Sequence, residues 1–129
     1  MPLISEDSFF FTKVDTICHG PAITCSPDTG LVEMARVMKR HNISGIVAVE
    51  GKTPIGIVSL RDLRDLISTA VDDIARLAVR DVMKSSLITI RCSDYLFKAI
   101  FLMAKHNIHR LVVVDNDGLL AGVMTDTDL

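Results

Sequence analysis

The chain repeats itself, and the repeat limits what it can fold into. Residues 14–49, slid by 65 positions, fall on 79–114 with matches in order: Ile23-Thr24 on Ile88-Thr89, Leu31 on Leu96, Met38 on Met103, and His41-Asn42-Ile43 on His106-Asn107-Ile108. Val47 and Val49 fall on Val112 and Val114. The second copy then gains one residue in a turn, the shift becomes 66, and GIVSLRDL at 56–63 meets GVMTDTDL at 122–129. A unit of only about 45 residues cannot bury both faces of a sheet by itself. Two such units can, so the pattern predicts one module of two pseudo-symmetric halves packed sheet against sheet.

Each copy has the same grammar. A short apolar strand (AITC at 22–25, LITI at 87–90) precedes a candidate helix N-cap, Asp28 or Ser93. A helix follows, with Leu31, Met34, Ala35 and Met38 in one copy and Leu96, Ala99, Ile100 and Met103 in the other at the spacing of a buried helical face. Asn42 and Asn107 stand where the helix should stop, since Asn tolerates the left-handed conformation. The next strand is unbroken in its apolar character (GIVAV at 45–49, LVVV at 111–114), which predicts burial on both faces. A tight turn and a third strand follow, IGIVS at 55–59 and AGVMT at 121–125. The fold class is therefore α/β, two β-α-β-β-α repeats. The chain divides into an N-terminal extension (1–13), a first repeat (14–70), and a linker with the second repeat (71–129). The helix RDLRDLISTA that closes the first copy has no counterpart after Asp128-Leu129, which points to a regulatory piece of something larger.

The totals exclude several functions. Of 129 residues 49% are apolar, and the net charge is −2 with scattered basic residues, so neither a nucleic-acid footprint nor a basic membrane patch is present. No apolar run approaches a membrane span, and the acidic N-terminus does not read as a secretory signal. Three cysteines (Cys18, Cys25, Cys92), odd in number and without a CxxC pair, suggest no disulfide framework and no zinc site; they read as small hydrophobes in a reducing, cytoplasmic setting. His41 and His106 suit helix C-termini. His19 follows Cys18 without a partner for nucleophilic catalysis, and no HExxH, GxSxG or P-loop occurs, so no enzymatic activity, metal or required cofactor is expected.

The repeated octet carries the chemistry. Ser59 and Thr125 end a strand just where a helix opens, and free amides at a helix start suit a phosphate. Asp62 and Asp128, three residues on, can accept two hydrogen bonds from a vicinal diol. A diol and a phosphate on one ligand indicate a ribonucleotide. Gly56 and Gly122 allow close approach on the strand before. The bland alternative is a Ser/Thr N-cap with a first-turn Asp favoured by the helix dipole.

Two β-α-β-β-α units, each ending G-h-h-[ST]-x-x-D-L after HN-I, a buried strand and a hairpin, resemble a tandem pair of cystathionine-β-synthase (CBS) domains, a Bateman module, over residues 14–129. The resemblance implies that each cleft takes its ribose aspartate from one repeat and a phosphate-facing pair from the other. One cleft would hold Ser59, Arg61, Asp62 and Thr24 with His109 and Arg110. The other, weaker, empty or suited to a less anionic ligand, would hold Thr125, Thr127, Asp128 and Thr89 with Ser44 and Gly45, and carries the extra Asp126. An adenosine nucleotide (AMP, ADP or ATP, with S-adenosylmethionine also possible) is the implied ligand, a homodimer the implied assembly, and an attached or partner effector domain the implied target. The alternative is a structural dimerisation module with degenerate clefts. Phe9-Phe10-Phe11 reads either as a strip draped over the module or as a docking surface.

Overall fold

In a computed structural model, residues 10–18, 22–69 and 74–129 are described. The described residues form two compact units, one within 23–87 and one of 88–129 together with 10–18 and 22.

The first unit contains β1 (Thr24–Cys25), α1 (Leu31–His41), β2 (Gly45–Glu50), β3 (Thr53–Ser59), α2 (Leu60–Ser68), a 3-10 turn at Ile74–Arg76 and the short helix α3 (Val79–Val82). Its sheet has the order β1-β2-β3, with β1 parallel and β3 antiparallel to β2. Parallel neighbours need a crossover, and α1 supplies it; antiparallel neighbours need only a hairpin, turned at Gly51 with φ 63°. The second unit repeats the plan. After a 3-10 turn at Val14–Thr16 come β4 (Thr89–Arg91), α4 (Leu96–His106), β5 (Arg110–Val114), β6 (Leu120–Thr125) and a 3-10 turn at Asp126–Asp128. Its sheet order is β4-β5-β6, and its hairpin turns at Gly118, φ 80°. Both middle strands shift register at the same place, between Ala48 and Val49 and between Val113 and Val114.

The helix stops fall on Asn42 and Asn107, at φ 52° and 50°. The amide after each closes a wide turn onto a helix carbonyl, Ile43 N–H to Met38 and Ile108 N–H to Met103, both 3.0 Å. The helix starts differ from expectation. The N-caps are Gly30 and Tyr95, with no capping side chain, and not Asp28 or Ser93. The reason is tertiary. Leu31 N–H donates to Leu77 O at 2.8 Å, and Leu96 N–H donates to Thr12 O at 2.9 Å, so a passing segment satisfies the helix start.

Those passing segments are the lead-ins of the repeats, and each completes the other copy's core. Val79 is buried with Leu31, Met34, Met38, Ile46, Ala48, Val58 and Leu63. Val14 is buried with Ile90, Leu96, Ala99, Met103, Leu111, Val113 and Met124. The flanking bonds match too: Val79 N–H donates to Thr29 O and Arg80 N–H to Pro27 O, as Val14 N–H does to Asp94 O and Asp15 N–H to Cys92 O. On the opposite faces of the middle strands Val47 and Val112 are also buried, as their unbroken apolar runs predict.

Phe11 packs edge-on to Tyr95 and Phe97, each at 5.7 Å between ring centres, yet stays 62% exposed. Phe101, further along α4, is also exposed, with Lys105 over its ring. Phe10 is at the edge of exposure, and Phe9 lies outside the described residues.

Candidate functional site

Each unit places the candidates of its middle and third strands at one end of its sheet, where the middle strand begins and the third strand ends. In the first unit Gly45 pairs with Ser59 across the hairpin, and Leu60 N–H donates to Ser44 O at 2.8 Å. In the second Arg110 pairs with Thr125, and Asp126 N–H donates to His109 O at 2.9 Å. The backbone scaffold is thus the same in both copies.

The side chains on it are not. Ser59 caps α2. Its Oγ accepts from Asp62 N–H at 3.1 Å and donates to Asp62 Oδ2 at 2.9 Å, while its own amide donates to the same oxygen at 2.8 Å. This is a reciprocal capping box, with Asp in place of the commoner Glu. The other oxygen, Oδ1, forms an ion pair with Lys84 Nζ at 3.4 Å. Burial raises the proton affinity of Asp62, but the Ser59 amide and hydroxyl and the Lys84 ammonium outweigh it, and the carboxyl is held below its ordinary value. Asp62 is therefore an ionised, nearly buried carboxylate at 16% side-chain exposure. Arg61 lies exposed beside it on the first turn of α2.

Lys84 was not visible from sequence. It reaches Asp62 because residue 84 pairs with the free edge of β3: Ile57 N–H donates to Lys84 O at 3.1 Å and Lys84 N–H to Ile57 O at 2.9 Å. Met83 beside it explains Gly56. A Cβ at Gly56 would lie 2.3 Å from the Met83 sulfur and 3.0 Å from its Cβ. The close approach expected at this glycine is thus made by the chain's own linker.

In the second unit Thr125 N–H donates to Asp128 Oδ2 at 2.7 Å, and the Thr125 hydroxyl contacts Asp128 at 3.2 Å and the Thr127 hydroxyl at 2.8 Å. Asp126 accepts from His109 Nδ1 at 2.9 Å. Thr24 is exposed on β1, paired with Val47. Thr89 lines an open hollow of about 310 Å³ together with Arg91, Asp94, Lys98 and Asp115; Thr125, Thr127 and Asp128 do not line it. Ser59, Arg61, Asp62, Thr24 and Ser44 belong to the first unit, and His109, Arg110, Thr125, Thr127, Asp128 and Thr89 to the second.

Other chemistry is sparse. Burial pushes the Cys25 thiol up to about 11, and burial together with Cys92 and Asp15 raises Cys18, so both are poor nucleophiles. Among the described residues no cluster of His, Cys, Asp or Glu could hold a metal ion, and no helix is long and apolar enough to cross a membrane.

The architecture and both octets agree with an independent match: the CBS domain family model covers residues 14–69 and again 79–129. The chain is a tandem CBS-domain protein. Inosine-5'-monophosphate dehydrogenase of Korarchaeum cryptofilum is 33% identical over 107 residues, 83% of this chain and 21% of that one. The chain spans 34%, 60% and 21% of the length of three curated relatives it matches. A CBS domain protein of Pyrobaculum aerophilum, solved with AMP, superposes with a TM-score of 0.84 at 24% identity, covering 92% of this chain and 90% of that one. The CBS domain pair of protein MJ0100, solved with 5'-methylthioadenosine and S-adenosyl-L-methionine, gives a TM-score of 0.81 at 24% identity, covering 92% of each chain. At that identity the likeness of these CBS pairs establishes the shared fold.

Proposed function

We propose that this CBS pair is a non-catalytic, ligand-sensing regulatory module that binds an adenosine nucleotide of the AMP, ADP or ATP type. The observation that carries the reading is Asp62. It is an ionised carboxylate locked by Ser59 at the start of a nine-residue helix, with a cation on its outer oxygen. That oxygen suits a ribose diol, and the adjoining helix start suits a phosphate. In the binding cleft we assign Ser59, Arg61, Asp62 and Thr24 from one repeat and His109 and Arg110 from the other, with Arg61 and Arg110 as phosphate partners. To a second, weaker cleft we assign Thr125, Thr127, Asp128, Thr89 and Ser44. The AMP and S-adenosylmethionine bound by solved CBS pairs support the ligand class. Long relatives such as the inosine-5'-monophosphate dehydrogenase support an effector joined to the module or acting beside it.

A second reading, a dimerisation module with silent clefts, is favoured by one observation: the exposed aromatic row of Phe11, Tyr95, Phe97 and Phe101. The same row suits a homodimer of the sensor.

Thermal shift and calorimetry with AMP, ADP, ATP and S-adenosylmethionine test the proposal. A ligand at 100 times its dissociation constant stabilises the folded chain by about 2.7 kcal/mol. The expected result is a shift with one adenosine compound that Asp62→Ala abolishes, with affinity lost at least about 100-fold, and that Asp128→Ala retains. No binding by any of them, with a dimer seen by light scattering, would transfer the assignment to the dimerisation module.

A further inference from the structure

The bond between His109 and Asp126 has no equivalent in the first repeat. The corresponding positions are Ser44 and Leu60, and Leu60 has no polar group to offer. The backbone bond between these positions is nevertheless kept in both copies, at 2.8 and 2.9 Å. The second copy has therefore added a side-chain link to an unchanged scaffold. Both partners are open to solvent, His109 at 63% and Asp126 at 51% side-chain exposure, so the link contributes little to stability. Its effect is on the chemistry that His109 presents.

A carboxylate can only accept, so in this bond Nδ1 carries the hydrogen. In a neutral imidazole the other nitrogen, Nε2, is then a lone pair. Free neutral histidine prefers the opposite tautomer, with the hydrogen on Nε2. Asp126 thus reverses what the ring shows a ligand, from a donor to an acceptor.

We propose that Asp126 is a positioning and specificity-determining residue: it fixes His109 as the Nδ1–H tautomer, so that His109 reads a donor group of the ligand, a hydroxyl or an amine, and not a phosphate oxygen. The inference rests on the assignment of His109 to the adenosine cleft. It divides the pair His109-Arg110 by role. Arg110 keeps the phosphate role assigned to it above, and His109 recognises the nucleoside part.

Two measurements on the full chain at pH 8.5 test it. The first needs no ligand: 15N spectra of the histidine ring in the parent and in Asp126→Leu, which installs the first repeat's own residue. The parent ring should show Nδ1 protonated and Nε2 bare, and Asp126→Leu should move it toward the Nε2–H form. A parent ring protonated at Nε2, alone or at both nitrogens, overturns the proposal. The second compares calorimetric affinities for AMP and for adenosine. His109→Ala should weaken both by a similar factor, leaving their ratio unchanged. Asp126→Leu should raise the AMP-to-adenosine ratio several-fold, Asp126→Glu should restore the parent ratio, and the rise should vanish in His109→Ala/Asp126→Leu. A rise that persists without His109 would mean that Asp126 acts by charge alone, and the tautomer role would be discarded. Failure of the underlying reading looks different: neither compound binds the parent, or Asp62→Ala binds as well as it does.

Discussion

The two octets share a backbone and differ in how their aspartates are held. Asp62 sits in a closed box at the start of a full helix, braced from outside by Lys84, whose neighbour Met83 packs on Gly56. Asp128 ends a three-residue 3-10 turn that follows Thr125, with hydroxyls clustered around it and a second carboxylate, Asp126, turned to His109. Duplication copies a scaffold, and the linker and a few substitutions then give each copy its own electrostatics. The first octet joins an ionised carboxylate to nearby cations; the second adds a negative charge.

The contrast can be broken in steps. The largest stability effect is expected at Gly56→Ala. The new methyl meets Met83 from its sulfur back to its Cβ, so overpacking should cost about 1–3 kcal/mol by chemical denaturation. Met83→Ala should return much of that loss in the double variant. No such rescue would mean that the linker does not pack there in solution.

Next is the cap. Ser59→Ala removes the acceptor for Asp62 N–H, at an expected cost of about 1 kcal/mol. Thr125→Ala, beside a mere 3-10 turn, should cost nearer the ~0.5 kcal/mol low end of the capping range. Equal losses would erase the distinction between the two turns.

The pH dependence sharpens the same point. The folded-state value of Asp62 lies below the unfolded one, about 3.9. On acidification the unfolded chain therefore takes up this proton first. The stabilisation is complete well above that value and is lost as pH falls through the folded value. The stability gap between the parent and Asp62→Ala should be constant near neutrality and close below about pH 4. A gap independent of pH would show that the charge of Asp62 is not what the box stabilises.

The smallest effect belongs to Lys84→Met. Lys84 is 71% exposed, and an exposed pair contributes about 0–1 kcal/mol, less as salt is added. A larger, salt-insensitive loss would mean that Lys84 holds the linker as well as the carboxylate.

Much of the fold was legible because local rules and the repeat agreed. Asn42 and Asn107 stop their helices, and the unbroken strands are buried on both faces, since backbone conformation and hydrophobic period are written in neighbouring residues. The helix starts were misread for the opposite reason. Beside the N-caps Gly30 and Tyr95, the amides of Leu31 and Leu96 donate to the Leu77 and Thr12 carbonyls, partners distant in sequence. Lys84 was missed on the same ground, since it reaches Asp62 only because its segment bridges to Ile57. The pairing of His109 with Asp126 likewise depends on the β5–β6 register, which motif spacing does not reveal.

The exchanged lead-ins also set an order of events during synthesis. The unit of residues 23–87 is one continuous stretch, so everything it needs, Val79 included, has been made once residue 87 is made. The other unit must recover Val14, the earliest-made member of its core, across the whole of its neighbour. Closing so long a loop is slow compared with local contacts. The half that carries Asp62 is therefore expected to be assembled first, and the half that carries Asp128 to wait until the segment around Val14 comes back to it.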